Sequence, residues 1–171
     1  DAYEKRRKQT NQEVEPGSHE QENVPTPTNV QKEALAALEE TRKKGYMRGL
    51  VVLATGLGKT WLAAFHAKES GAKKVLFVAH REEILNQAAD TFIKIYPQKK
   101  VGLYTGKSRD TEVDILCASI QTLSRTQHLE RFRSQHFDFI VVDEFHHAAA
   151  PTYHRLLDYF TPHFLLGLTA T

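Results

Sequence analysis

The sequence predicts an α/β domain built on a mainly parallel sheet with helices on both faces. Short apolar runs, such as residues 74–79 and 137–142, lack polar alternation, as strands covered on both sides do. Segments with apolar residues at helical spacing separate these runs, so strands and helices alternate along the chain. No internal repeat or low-complexity tract interrupts the alternation.

Residues 1–24 stand apart. They are nearly free of apolar side chains, which describes a polar charged linker, disordered or loosely ordered. Glutamates balance the basic run Lys5, Arg6, Arg7 and Lys8, so a solvated segment is favoured over a nucleic-acid or targeting signal. Pro25 and Pro27 punctuate the approach to the folded part, residues 25–171. A helix is expected over residues 30–44: Asn29 can cap it, Val30, Ala34, Leu35 and Leu38 form its apolar stripe, and Gly45 can end it. Residues 49–53 read as a short buried strand, and residues 59–70 as a helix closed by Gly71. After the strand at 74–79, residues 82–96 form an amphipathic helix on Ile84, Leu85, Ala88, Phe92 and Ile95. Short strands follow at 101–104 and 114–118, then a short helix at 125–132 and the strand at 137–142. A helix over 153–160 and a strand over 164–168 complete the pattern.

A chain of 171 residues suits one ordinary domain. Its 40% hydrophobic and 26% charged content is globular rather than disordered. The net charge of +2 is too small to argue for nucleic acid by itself. The single cysteine, Cys117, excludes an intrachain disulfide framework. With no secretory signal and no apolar run of bilayer length, a cytoplasmic protein without a membrane partner is expected. The start at Asp1 and the ending Thr169, Ala170, Thr171 suggest a piece of a larger protein.

Residues 54–60 run from an expected strand into an expected helix, the context a phosphate-binding loop requires. The glycines Gly56 and Gly58 let the backbone around Thr55 and Leu57 curl until successive N–H groups face an anion. The helix that follows turns its unsatisfied amides and positive dipole end to the same place. Lys59 can reach the β- and γ-phosphates as a mobile point charge, and Thr60 can put a hydroxyl on Mg²⁺. The eight-residue pattern has Gly at its first position, where this chain has Leu53. An ordinary glycine-rich turn with a solvated lysine is the alternative.

Asp143, Glu144, Phe145 and His146 directly follow the strand at 137–142. Parallel sheets build ligand sites at the carboxyl ends of their strands. In that place an Asp can hold Mg²⁺ and a neighbouring Glu can orient and deprotonate a water. The alternative is a pair of surface acids that end a strand. His146 and His147, even with Cys117 and His154, lack the spacing of a structural zinc site. His146 is expected to couple to the γ-phosphate.

Taken in order, these motifs resemble the N-terminal RecA-like domain of superfamily 2 helicases. The nearest flavour is the branch of type III restriction-enzyme motor subunits and related DEAD/DEAH-like translocases. The resemblance covers roughly residues 25–171. Gln31 stands where such proteins place a glutamine that reads adenine, although Val30 and Asn29 replace the aromatic that often precedes it. Residues 55–60 match motif I. Val78, Ala79, His80 and Arg81 look like motif Ia, and residues 118–123 are similar to the next backbone-contacting motif, with Ser119 and Thr122 as contacts. Asp143-Glu144-Phe145-His146 is motif II in its D-E-x-H form, and Thr169-Ala170-Thr171 is motif III, which couples nucleotide state to strand grip.

The resemblance implies the ATP-binding first lobe of an ATP-dependent helicase or nucleic-acid translocase, using ATP and Mg²⁺. DNA is favoured over RNA as its partner. It further implies a missing second RecA-like lobe, further domains, and little hydrolysis by this lobe alone. A P-loop NTPase switch or remodelling module acting on a protein is the alternative. The set His80, Arg81, Ser119 and Thr122 discriminates between the two: gathered near the ATP cleft, these residues suit sugar-phosphate contacts. Simple pairing of Arg81 with Glu82 or Glu83, and plain capping by Ser119, Gln121 and Thr122, remain the alternatives for these positions. Thr105, Gly106 and Lys107 can add a further backbone contact.

Overall fold

The computed structural model describes residues 24–54 and 58–170. The linker expected over residues 1–24 thus falls almost wholly outside the described residues, as do Thr55, Gly56, Leu57 and Thr171. The elements run α1 (Asn29–Lys43), β1 (Arg48–Leu53), α2 (Lys59–Glu69), β2 (Val75–Ala79), α3 (Glu82–Ile95), β3 (Val101–Tyr104) and β4 (Ile115–Ser119). There follow α4 (Ile120–Leu123), α5 (Thr126–Leu129), β5 (Phe139–Val142), a 3₁₀ turn (Phe145–His147), α6 (Pro151–Tyr159) and β6 (Phe164–Ala170).

The six strands form one sheet in the order β1-β6-β5-β2-β4-β3, and every neighbouring pair is parallel. Strand side chains alternate between faces, and each face has its own core. Phe77, Cys117, Val141 and Leu166 point towards α1, α2 and α3. Leu76, Leu116, Ile140 and Val142 point towards α4, α5 and α6. Helices on both faces explain why the central strands carry no polar alternation.

Three sequence expectations need correction. Thr28, not Asn29, caps α1: its hydroxyl accepts from the Gln31 N–H at 3.3 Å, while Gln31 Oε1 accepts from the Thr28 N–H at 2.9 Å. This capping box turns the helix so that Gln31 is buried and Val30 is 46% exposed. Next, β1 is an edge strand rather than a buried one. Val51 is covered, but Leu50 and Val52 are 55% and 50% exposed. The cover on that face stops at Phe145, whose ring lies on Gly167: a Cβ there would come within 2.7 Å of it. An apolar run alone cannot distinguish an edge from a centre. Last, the helix expected over 125–132 is only the single turn α5, which an extended Arg125 separates from the preceding single turn α4. Elsewhere the ends shift by a few residues. Pro151, with its fixed φ, starts α6 earlier than the apolar pattern does. Among the described residues no helix is long and apolar enough to cross a membrane.

Candidate active site

In an all-parallel sheet every strand ends on the same side, so the order of strands lays out the site. Reading across, β1 leads to the glycine loop, β6 to Thr169 and Ala170, β5 to Asp143 and Glu144, β2 to His80 and Arg81, and β4 to Ser119. Neighbouring strands lie about 4.8 Å apart. The two ends of this row are therefore within reach of one substrate complex.

Gly58 is the N-cap of α2 and takes a left-handed conformation, φ +75°. Among the described residues no side chain caps α2, so its first-turn amides face outward from the helix end. The Gly58 carbonyl accepts from Gln31 Nε2 at 3.3 Å, which ties α1 to the loop. Gln31 thus sits against Gly58 with both ends of its amide engaged. Lys59 and Thr60 open α2, both partly buried. Gly58→Ala is expected to cripple nucleotide binding. The added Cβ would lie 2.5 Å from Gln31 Nε2, and the left-handed backbone costs a non-glycine residue about 1–2 kcal/mol. Calorimetric titration checks this: affinity within about threefold of native would contradict it.

Asp143 follows β5 and is buried. Its N–H donates to the Val78 carbonyl at 2.9 Å, and its Oδ1 accepts from the Glu144 N–H at 2.8 Å. Burial pushes the Asp143 carboxyl above the usual carboxylate range, against the opposing pull of the Glu144 amide and the Lys59 charge. Glu144 is the sole non-glycine residue with positive φ among those described, at φ 54° and ψ 48°. Its Oε1 accepts from Arg81 Nη2 at 3.0 Å, and its Oε2 lies 4.0 Å from His147 Nε2. Arg81 therefore pairs neither with Glu82 nor with Glu83 as the simple alternative had it, but with an acid from another strand.

His146 Nδ1 lies 3.3 Å from Thr169 Oγ1, which joins the turn after β5 to the end of β6. His80 Nδ1 is 3.0 Å from Gln121 Nε2, and Gln121 Oε1 accepts from Ser119 Oγ at 2.8 Å. His80 also packs edge-on against His147, with ring centroids 5.1 Å apart. Ser119 is buried, so Gln121 presents the exposed amide at this end. Thr122 is partly buried on α4, and among the described residues no side-chain hydrogen bond joins it to the others. Thr105 is occupied within its own turn, its hydroxyl accepting from the N–H groups of Lys107 and Ser108. No trio of His, Cys, Asp or Glu side chains forms a metal cluster among the described residues. Sequence suggests Gln121 for sugar-phosphate contact or capping and His147 for surface or packing, but gives no sign of the Arg81–Glu144 pair. The last spans 63 positions, a separation at which local pattern carries no signal.

An uncapped helix start behind a left-handed glycine, beside a buried acid on a neighbouring strand, suits a nucleotide phosphate and a hard divalent cation. Fold and site together define a RecA-like lobe of the superfamily 2 helicase class. The chain belongs to the family described as type III restriction enzyme, res subunit, whose model matches residues 25–171. A Saccharomyces cerevisiae protein named as the ATP-dependent helicase IRC3 is 33% identical over 149 residues, covering 80% of this chain. The chain spans only about a fifth of that relative, 21%. The Pyrococcus furiosus Hef helicase domain is 26% identical at a TM-score of 0.69, covering 85% of this chain and 33% of that one. A nuclease-deletion mutant of the type ISP restriction-modification enzyme LlaGI, solved with a DNA substrate mimic, shares the fold. Its TM-score is 0.65 at 16% identity, over 86% of this chain and 18% of that one.

Proposed function

We propose that this chain is the ATP-binding first lobe of an ATP-dependent nucleic-acid motor acting on DNA. The observation that carries the reading is the row of strand ends, with a phosphate-type helix start at one end and His80, Arg81, Gln121 and Ser119 gathered at the other. A protein-directed switch would have no use for that second cluster, whereas amide, imidazole and guanidinium groups suit a sugar-phosphate backbone. The relative named as an ATP-dependent helicase and the fold neighbour solved with a DNA mimic support the same reading.

In this reading Lys59 and the amides at the start of α2 hold the nucleotide phosphates. Thr60 and Asp143 hold Mg²⁺, an ion that screens phosphate charge when bound. Glu144 orients the attacking water and accepts its proton. His146 and Thr169 link the nucleotide end to the strand-gripping end. Motors of this class close ATP between two lobes, the second supplying an arginine to the transition state. This lobe alone is therefore expected to bind nucleotide weakly and turn it over very slowly.

Trp61 gives the test, because it follows Thr60 directly and is only partly buried, packing on Phe65 and beneath Lys94. MgATP is expected to change Trp61 fluorescence saturably in the native chain and not in Lys59→Ala. Calorimetry showing no binding at millimolar nucleotide would defeat the proposal. Single-stranded oligonucleotide binding is expected to weaken as salt rises, since phosphate contacts release counterions.

A further inference from the structure

Glu144 is the residue to which the proposed chemistry assigns the attacking water, yet its carboxylate is held by Arg81 from the neighbouring strand β2 and faced by His147 from its own turn. Oε1 accepts from Arg81 Nη2 at 3.0 Å, and Oε2 faces His147 Nε2 at 4.0 Å. Arg81 is the N-cap residue of α3, at the end of β2. His147 leans on His80, which is bonded to Gln121. The carboxylate that would serve the nucleotide is thus held by groups that would serve the strand.

Backbone and ion pair share in this placement. Glu144 is left-handed, so its side chain leaves the end of β5 in a direction that an ordinary strand-end residue would not take. The bond from its N–H to Asp143 Oδ1 fixes the backbone, and the ion pair then fixes the side chain. The pair is also unequally exposed. The Arg81 side chain is 65% exposed, while that of Glu144 is 23% exposed. An incoming anion therefore finds more of the guanidinium than of the carboxylate open to it. A single exposed ion pair is a weak hold, whereas a phosphate can take a guanidinium with two charge-assisted hydrogen bonds. The exchange runs downhill when a strand is bound, and it frees the lone pairs of Oε1 that a water would need.

We propose that Arg81 is a positioning residue that holds Glu144 away from its water in the absence of nucleic acid and releases it when a strand phosphate captures the guanidinium. The inference rests on the functional reading above and deepens it. It makes one residue both the strand contact and the brake, so grip and hydrolysis compete for the same guanidinium.

The test compares ATP hydrolysis by the intact protein that carries this lobe, without and with a saturating single-stranded DNA oligonucleotide, for native, Arg81→Ala and Arg81→Lys. Release of the brake is expected to raise the DNA-free kcat of Arg81→Ala by about fivefold or more, the lower end of ordinary coupling strengths. KM for ATP is expected to stay unchanged, and the stimulation ratio to shrink by the same factor. Arg81→Lys, which keeps the charge but not the fork, is expected to fall between the two. In parallel, the salt dependence of oligonucleotide binding should drop by about one phosphate contact in Arg81→Ala. A merely structural role would lower both rates together and leave that salt slope alone. A DNA-free kcat in both variants equal to or below native, with stimulation intact at saturating DNA, would overturn the brake and leave the motor reading standing. No stimulation of the native protein by any oligonucleotide would remove both.

Discussion

Glu144→Gln is expected to lower DNA-stimulated ATP hydrolysis by about a hundred- to ten-thousand-fold, the usual contribution of a positioned general base. The substitution is nearly isosteric. Gln and Glu pay the same cost for the left-handed backbone at this position, and a Gln amide oxygen can still accept from Arg81. What disappears is the capacity to take a proton from water. In the proposed reading nucleotide binding rests on Lys59 and the start of α2, so the Trp61 titration is expected to be unchanged. Steady-state hydrolysis beside that titration separates the two functions. A variant that keeps more than about a tenth of the native rate would show that another group accepts the proton.

His66→Leu is expected to flatten the acid limb of the stability profile. His66 has no exposed surface, packs edge-on between Phe139 and Phe164 at 5.5 and 5.2 Å, and has no partner for either ring nitrogen. Burial pushes its pKa down to about 4 from the ordinary 6.5. Between those values the unfolded chain binds a proton that the folded chain refuses, so stability is full above pH 6.5 and is lost as pH falls towards 4. At 1.36 kcal/mol per pH unit the loss comes to about 3 kcal/mol. Asp114 does not confuse this window. The Lys100 N–H foremost, and Lys74, hold its carboxyl below the usual range, so its contribution is lost only at more acidic pH. At neutral pH the leucine variant is also expected to gain about 1 kcal/mol, because the orphaned ring nitrogens leave the core. Urea unfolding between pH 4 and 7 measures both effects. An unchanged slope in the variant would assign the acid sensitivity to other groups, among them His128 and His136, which burial also holds below the ordinary imidazole range.

The fold class was legible because covered parallel strands and the helices between them leave opposite periodicities. The loop ending in Lys59 and Thr60 and the acids Asp143 and Glu144 were legible for a related reason: the chemistry of a strand end is written in consecutive residues. Whatever depends on how distant strand ends face one another was not legible. Nothing near Arg81 in sequence announces Glu144, because the neighbours Glu82 and Glu83 look like equally good partners until β2 and β5 are paired. Gln31 shows the mixed case. Its type and position fit adenine reading, but the structure adds that its amide is bonded to the Thr28 N–H and the Gly58 carbonyl. A bound base would have to share or displace those bonds. The exposed side of β1 escaped for a simpler reason: Leu50 and Val52 are as apolar as any buried pair, and only the end of the helical cover at Phe145 leaves them in water.

The pairing of β1 has a kinetic consequence. In the sheet this strand bonds to β6 alone, with Leu50 set against Gly167, so until β6 is synthesised the loop it carries can lean on α1, through Gln31 and Gly58, but not on the sheet. Contacts between segments so far apart in sequence form late and slowly. On the ribosome, β2, β4 and β5 can assemble first as a central unit, and β1 joins the sheet only when β6 emerges and slides between β5 and β1. A nascent chain would then stay blind to ATP until β6 has been made.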